Sequence, residues 1–205
     1  MGTVVPALAA HGAAGRIGPN AITRVAEALR RTGGENLERR VFHAARLGGY
    51  LGRHPEKMVD EAEVTRLHRA LRATLGADRA REVSRDAGYA TGDYLLAHRI
   101  PRLVQAMLKL APAPLAAHVL MGAIGRHAWT FAGSGAFAWT PGRPVRFEIC
   151  GNPICRGAVS DEPVCDYYAA TFERLFRTLV HPCAEVVETE CEALGADACR
   201  FEIRW

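Results

Sequence analysis

Lysine is nearly missing from this chain. Of its 26 basic residues only Lys57 and Lys109 are lysine, and the net charge is just +4. The only dense basic points, Arg30/Arg31 and Arg39/Arg40, have no aromatic residues between them. That excludes the stacking platform of a single-strand nucleic-acid binder and leaves the pairs as solvated helix faces. With no ATPase motif and no recognisable DNA-binding element, no nucleic-acid partner is expected. The opening "MGTVVPALAAHGAAG" has no positive segment ahead of its small apolar residues, which argues against a secretory signal and for a cytoplasmic protein. Pro6 stands where N-myristoylation needs Ser or Thr. No apolar run reaches the roughly 18 to 20 residues that span a bilayer. The longest, "LVQAMLKLAPAPLAAHVLMGAIG", is cut by Lys109, Pro112, Pro114 and His118, and reads as soluble core or a greasy ligand pocket. Peripheral membrane contact and self-association through the helical face both stay open. The six cysteines include no CxxC pair, and in a reducing compartment they favour metal ligation or plain burial over disulfides.

What is present suffices for a core, with 49% apolar residues in 205. Helical periodicity covers 20–32, stopping at Gly33-Gly34, and resumes over 36–47. Further helices are predicted over 61–75, 77–98, 102–110 and 114–127, with Ile100-Pro101 ending the fourth. From Trp129 the character changes: "AWTFAGSGAFAWT" and "RPVRFEIC" read as antiparallel strands, followed by a helix over about 163–180. "AEVVETEC" and "ACRFEIRW" close the chain as a hairpin joined by "EALGAD", with Val187, Phe201 and Ile203 expected in the sheet core. The expected class is α+β, with a helical N-terminal two thirds and then an antiparallel sheet carrying one long helix. A segment 1–18 would precede a single small-molecule-binding domain, 19–205, with a helical part to 127 and a sheet part from 128.

"HGAAGRIG" spaces Gly12, Gly15 and Gly18 like a nicotinamide-binding loop. The context opposes that reading. Pro6 and scarce β-branched residues make a poor central parallel strand, and no βαβ alternation surrounds the loop. An ordinary loop and helix start is expected instead.

Near the C-terminus Glu188, Cys191 and Cys199 are spaced E-x2-C-x7-C, and Cys165 sits at the first turn of the predicted last helix. Three thiolates and a carboxylate suit tetrahedral Zn²⁺, and four protein ligands would make the site structural. One obstacle is geometric. Residues three apart in a regular strand face opposite ways, so Glu188 and Cys191 can share a metal only if a bulge or strand end re-aims one of them. The alternative is that these are small buried hydrophobes. Cys150 and Cys155 in "CGNPIC" could compete as ligands, and Cys183 reads as buried.

"RIGPNAI", "HAWTFAGSG", "GNPIC", "PVCDYYAATFERLF" and "ETECEALGADACRF" together resemble the vinyl reductase (4-vinyl reductase) domain family, in particular its small bacteriochlorophyll-biosynthesis branch. The resemblance covers about residues 11–205. It implies a fold like the ligand-sensing modules of phenol-responsive activators, and a structural zinc on Cys165, Glu188, Cys191 and Cys199. It also implies a chlorophyll-type tetrapyrrole as ligand, the divinyl protochlorophyllide whose 8-vinyl group is reduced. The residues give no cofactor loop for hydride transfer and no cysteine set for an iron–sulfur cluster. The leading expectation is therefore a binding or carrier protein for that intermediate, working beside other pigment-biosynthesis enzymes. The runner-up is the reductase itself with an external reductant, and the third reading a stand-alone sensor. Candidate pigment contacts are His127, His118 and His98 as axial ligands, with Arg126, Arg99, Arg102 and Trp129 nearby; each is also an ordinary helix residue.

Overall fold

The computed structural model describes residues 5–6 and 15–205. Two short antiparallel pieces come first: β1 (Val5–Pro6) and β2 (Arg16–Ile17), the latter paired with β3 (Val59–Asp60). Helix α1 (Asn20–Ala44) contains Gly33 and Gly34 in non-helical conformations, Gly34 at φ +71°, so the two expected helices meet at a kink. Asp60 then caps α2 (Glu61–Leu75), its side chain accepting from the Ala62 amide at 2.8 Å. Val64, Leu67 and Leu71 form its buried stripe. Helix α3 (Ala77–His98) stops short of Pro101, and α4 (Arg102–Leu110) and α5 (Ala113–Arg126) follow as expected.

The next stretch departs from expectation. Trp129–Ala132, expected as strand, forms a helical turn, α6. Its Ala132 amide bonds back to Ala128, and the Thr130 carbonyl accepts from Gly18 at 2.7 Å. Docking against the loop before α1 overrides the aromatic character of the sequence, and only β4 (Ala136–Thr140) is extended.

Strands β5 (Val145–Cys150), β6 (Glu185–Glu190) and β7 (Cys199–Arg204) complete one antiparallel sheet of order β1-β4-β5-β7-β6. Pro6 lies in its edge strand, the place in a sheet where proline is tolerated. Helix α7 (Asp166–Leu179) covers the sheet. Phe172 from the helix stacks on Phe147 at 4.1 Å, and Phe147 on Phe201 at 4.5 Å, which ties both layers together. On its other side α7 meets α3 closely: a Cβ on Gly88 would lie 2.4 Å from the Tyr167 carbonyl oxygen. Thr171 Oγ1 donates to the Gly88 carbonyl at 3.1 Å across the same contact. One buried cluster runs from Ile17 through Phe42 and Leu67 to Phe201 and Ile203, so helices and sheet share a core.

Two burial expectations are corrected. Strand parity turns Val186 inward and Val187 outward, so Val187 is exposed, while Phe201 and Ile203 are core as expected. Cys183, in the turn before β6, is exposed. The glycine loop also lacks a nucleotide-binding setting: Gly12 lies outside the described residues, and β2 belongs to a two-stranded antiparallel ribbon.

Candidate functional sites

Four chain segments deliver a sulfur to one buried point. Cys155 comes from the loop after β5, Cys165 is the residue before α7, Cys191 follows the last residue of β6, and Cys199 opens β7. All four are essentially inaccessible to solvent. The Sγ separations are 3.4 Å for Cys155–Cys199, 3.6 Å for Cys165–Cys199, and 3.9 Å for both Cys165–Cys191 and Cys191–Cys199. All four sulfurs lie within 4.8 Å of one another. Thiolates about 2.3 Å from a common zinc form a tetrahedron with edges of about 3.8 Å. The measured contacts bracket that length, so the donor set fits a soft tetrahedral ion.

The obstacle posed by strand parity is met by a bulge. Glu188 pairs with Phe201 but Glu190 pairs with Arg200, so two steps on β6 oppose one on β7. Cys191 leaves the strand beyond this irregularity and turns toward the other thiols. Of the expected ligands, Cys165, Cys191 and Cys199 are thus brought together, and Cys155 joins them. Glu188 stands at the rim, where Oε2 accepts the Cys165 amide at 2.8 Å and the buried Oε1 has no protein partner. Burial, followed by the charge at Cys191, pushes its carboxyl up to about 10.

The sulfurs have their own supports. Asn152 Nδ2 donates to Cys165 Sγ at 3.2 Å, and the Glu192 amide to Cys199 Sγ at 3.4 Å. Glu192 in turn holds the Cys155 loop, accepting from the Gly151 amide at 2.5 Å and the Asn152 amide at 3.0 Å. Arg72 is largely withdrawn from water; burial lowers its pKa, opposed by Cys165, Cys155 and Cys191. Burial raises the Cys165 thiol well above its ordinary value, whereas its sulfur neighbours hold Cys191 below it. Four thiols this close cannot all ionise without a cation among them.

The candidate pigment residues are arranged differently. His118, on α5, meets Trp139 edge-on at 5.2 Å. Both line a half-open cleft of about 340 Å³ with Pro114, Pro141, Arg143 and Val145. His98 lies outside it, exposed at the end of α3 with its ring 4.8 Å from Tyr94. His127 is exposed beyond α5, its Nδ1 2.9 Å from the Ala123 carbonyl oxygen. Arg126 and Trp129 are also exposed and do not line the cleft. Sequence reading missed Arg143, whose only signal was its place in the Pro/Gly turn "TPGRP".

The chain is 49% identical over 189 residues to the bacteriochlorophyll synthase 23 kDa chain of Cereibacter sphaeroides, covering 92% of this chain and 90% of that one. It belongs to that 23 kDa chain family. The Rhodobacter capsulatus member is 41% identical over 187 residues, covering 91% of this chain and 85% of that one. A V4R domain matches residues 145–205. The V4R part of this family member therefore holds β5, α7, β6 and β7, and with them all four clustered cysteines and Glu188. The three histidines fall outside it. A solved structure reported under the heading "Modulating Heme Redox Potential Through Protein-Induced Porphyrin Distortion" superposes with a TM-score of 0.51 at 14% identity, covering 92% of this chain and 100% of that one. That likeness is one of fold.

Proposed function

We propose that this protein serves bacteriochlorophyll biosynthesis by binding a chlorophyll-type tetrapyrrole, of the divinyl protochlorophyllide kind, and presenting it for reduction of its 8-vinyl group. The observation that carries the reading is the His118–Trp139–Arg143 cleft in a chain so similar to bacteriochlorophyll synthase 23 kDa chains. His118 has no hydrogen-bond partner among the described residues, so a ring nitrogen can reach a magnesium centre. Pro114 and Pro141 offer apolar walls beside the largely buried Trp139, and Arg143 a cation for a carboxylate. A cleft of about 340 Å³ seats one edge of a macrocycle and leaves the rest accessible to a partner enzyme. Presentation needs that access.

The cysteine cluster belongs to the same reading as a structural Zn²⁺ site on Cys155, Cys165, Cys191 and Cys199. Four thiolates leave no position for substrate or water, so the site acts as a staple. It fastens the Cys155 loop, the start of α7 and the β6–β7 hairpin.

Titrating the purified protein with divinyl protochlorophyllide, then adding NADPH, tests the reading. A saturable pigment spectrum that His118→Ala weakens, without product, supports presentation. Turnover with NADPH alone would make the protein the reductase and sink the carrier reading. Absence of saturable binding would remove the pigment reading altogether.

A further inference from the structure

Helices α4 and α5 turn apolar side chains toward solvent. Leu103, Met107 and Leu110 are 73%, 64% and 88% exposed, and Val104, Leu115, Val119 and Trp129 are exposed beside them in sequence. On α4 only Leu108 is buried. At about 100° per residue, Leu103, Val104, Met107 and Leu110 share roughly 120° of arc, with Arg102 and Lys109 along its flank. On α5 the outward face carries Leu115, Val119 and Arg126. Isolated apolar residues on a surface need no explanation, but a contiguous outward stripe marks a contact.

Charge says what the contact is with. From Asp93 to Glu148 the chain has no acidic residue, yet it carries Arg99, Arg102, Lys109, Arg126, Arg143 and Arg146. Arg99, Arg102, Lys109 and Arg126 make no ion pair among the described residues, although ion pairs are common elsewhere on this surface. A second copy docking face to face would set these cations against their own kind. An anionic lipid surface offers an apolar interior beneath negative headgroups and satisfies both features at once. No helix is long and apolar enough to cross a membrane among the described residues, so the contact would lie in the interface plane.

We infer that the α4–α5 face docks on an anionic lipid surface, Leu103, Met107 and Leu110 entering the headgroup boundary and the flanking cations meeting lipid phosphates. The inference is independent of the pigment reading, because vesicles without pigment test it. Flotation with vesicles of phosphatidylcholine alone, or mixed with phosphatidylglycerol, should show binding only to the anionic ones, diminishing with salt. The Arg102→Glu/Lys109→Glu variant should bind at least roughly thirty-fold more weakly, the loss of two cations alone accounting for that factor. Leu103→Asp/Met107→Asp should abolish binding with an unchanged thermal midpoint, since both side chains already face water. No flotation with anionic vesicles, or equal flotation of the charge-reversed variant, would overturn the inference. A dimer in solution that Leu103→Asp/Met107→Asp turns into a monomer would assign the face to a second copy instead.

Discussion

Asn152 Nδ2 donates to Cys165 Sγ across 3.2 Å while its Oδ1 accepts from the Ile154 amide at 3.0 Å. One fully buried side chain thereby ties the Cys155 loop to the start of α7. Supports of this kind orient metal ligands and temper thiolate charge. Asn152→Ala should lower zinc affinity by roughly ten- to a hundred-fold, measured by competition with a chromophoric chelator. An unchanged affinity would mean the cluster orients itself.

The ligand set is tested by three single substitutions. Metal analysis should find about one zinc per chain. Cys155→Ser and Cys191→Ser should lose it together with thermal stability, because the metal's binding energy is folding energy. Glu188→Gln should keep the metal, since an amide oxygen can still accept the Cys165 N–H. The reverse pattern, with metal kept in Cys155→Ser and lost in Glu188→Gln, would restore Cys165, Glu188, Cys191 and Cys199 as the ligands.

Acid should weaken the junction at Glu61. Burial raises the Glu61 carboxyl, but the Arg156 guanidinium at 2.6 Å and two donors of Ser134 outweigh it and hold the pKa below its ordinary value. A pKa depressed in the folded state adds stability above the unfolded value, and that stability is lost as pH falls through the folded one. The thermal midpoint should therefore drop as pH goes below 4.5, the ordinary value. Glu61→Gln should cost roughly 1–3 kcal/mol at neutral pH and flatten the acid limb. A parallel acid limb in the variant would clear Glu61 of the effect.

Helix crossing gives a steric prediction. At Gly88 a Cβ would sit 2.4 Å from the Tyr167 oxygen and 2.8 Å from Ala170 Cβ, neither of which is a flexible side-chain end. Gly88→Ala should destabilise by roughly 1–3 kcal/mol despite its better helix propensity, read as a lower denaturant midpoint at constant slope. A rise in midpoint would show that α3 and α7 can part without loss.

Local punctuation made much of the fold legible. Gly33-Gly34, Asp60, Gly76 and Ile100-Pro101 lie at helix boundaries or breaks because their effect is on their own backbone. Likewise, Cys165, Cys191 and Cys199 could be grouped, because a helix start and a hairpin limit where their side chains can go. Cys155 could not be assigned among them. Its loop is placed by Glu192, forty residues further along the chain, and nothing in the spacing reports that hold. Val186 and Val187 exchanged roles for a related reason: two adjacent valines look alike until the pairing with Ile203 chooses the inward one.

What the sequence alone determined was the order and type of most elements, the antiparallel C-terminal sheet, and the condition that Glu188 and Cys191 can face one point only across a break in the strand. Propensity, capping and side-chain period act over a few residues, so one strand of text carries them. Only the tertiary structure decided that a bulge at Glu188–Glu190 supplies the break, that Cys155 is the fourth thiol, that His118 rather than His98 or His127 lines the cleft, and that the stripe on α4 faces outward. Each of these depends on register or packing between segments far apart in the chain, and such free energies are set by the partner surface as much as by the residue itself.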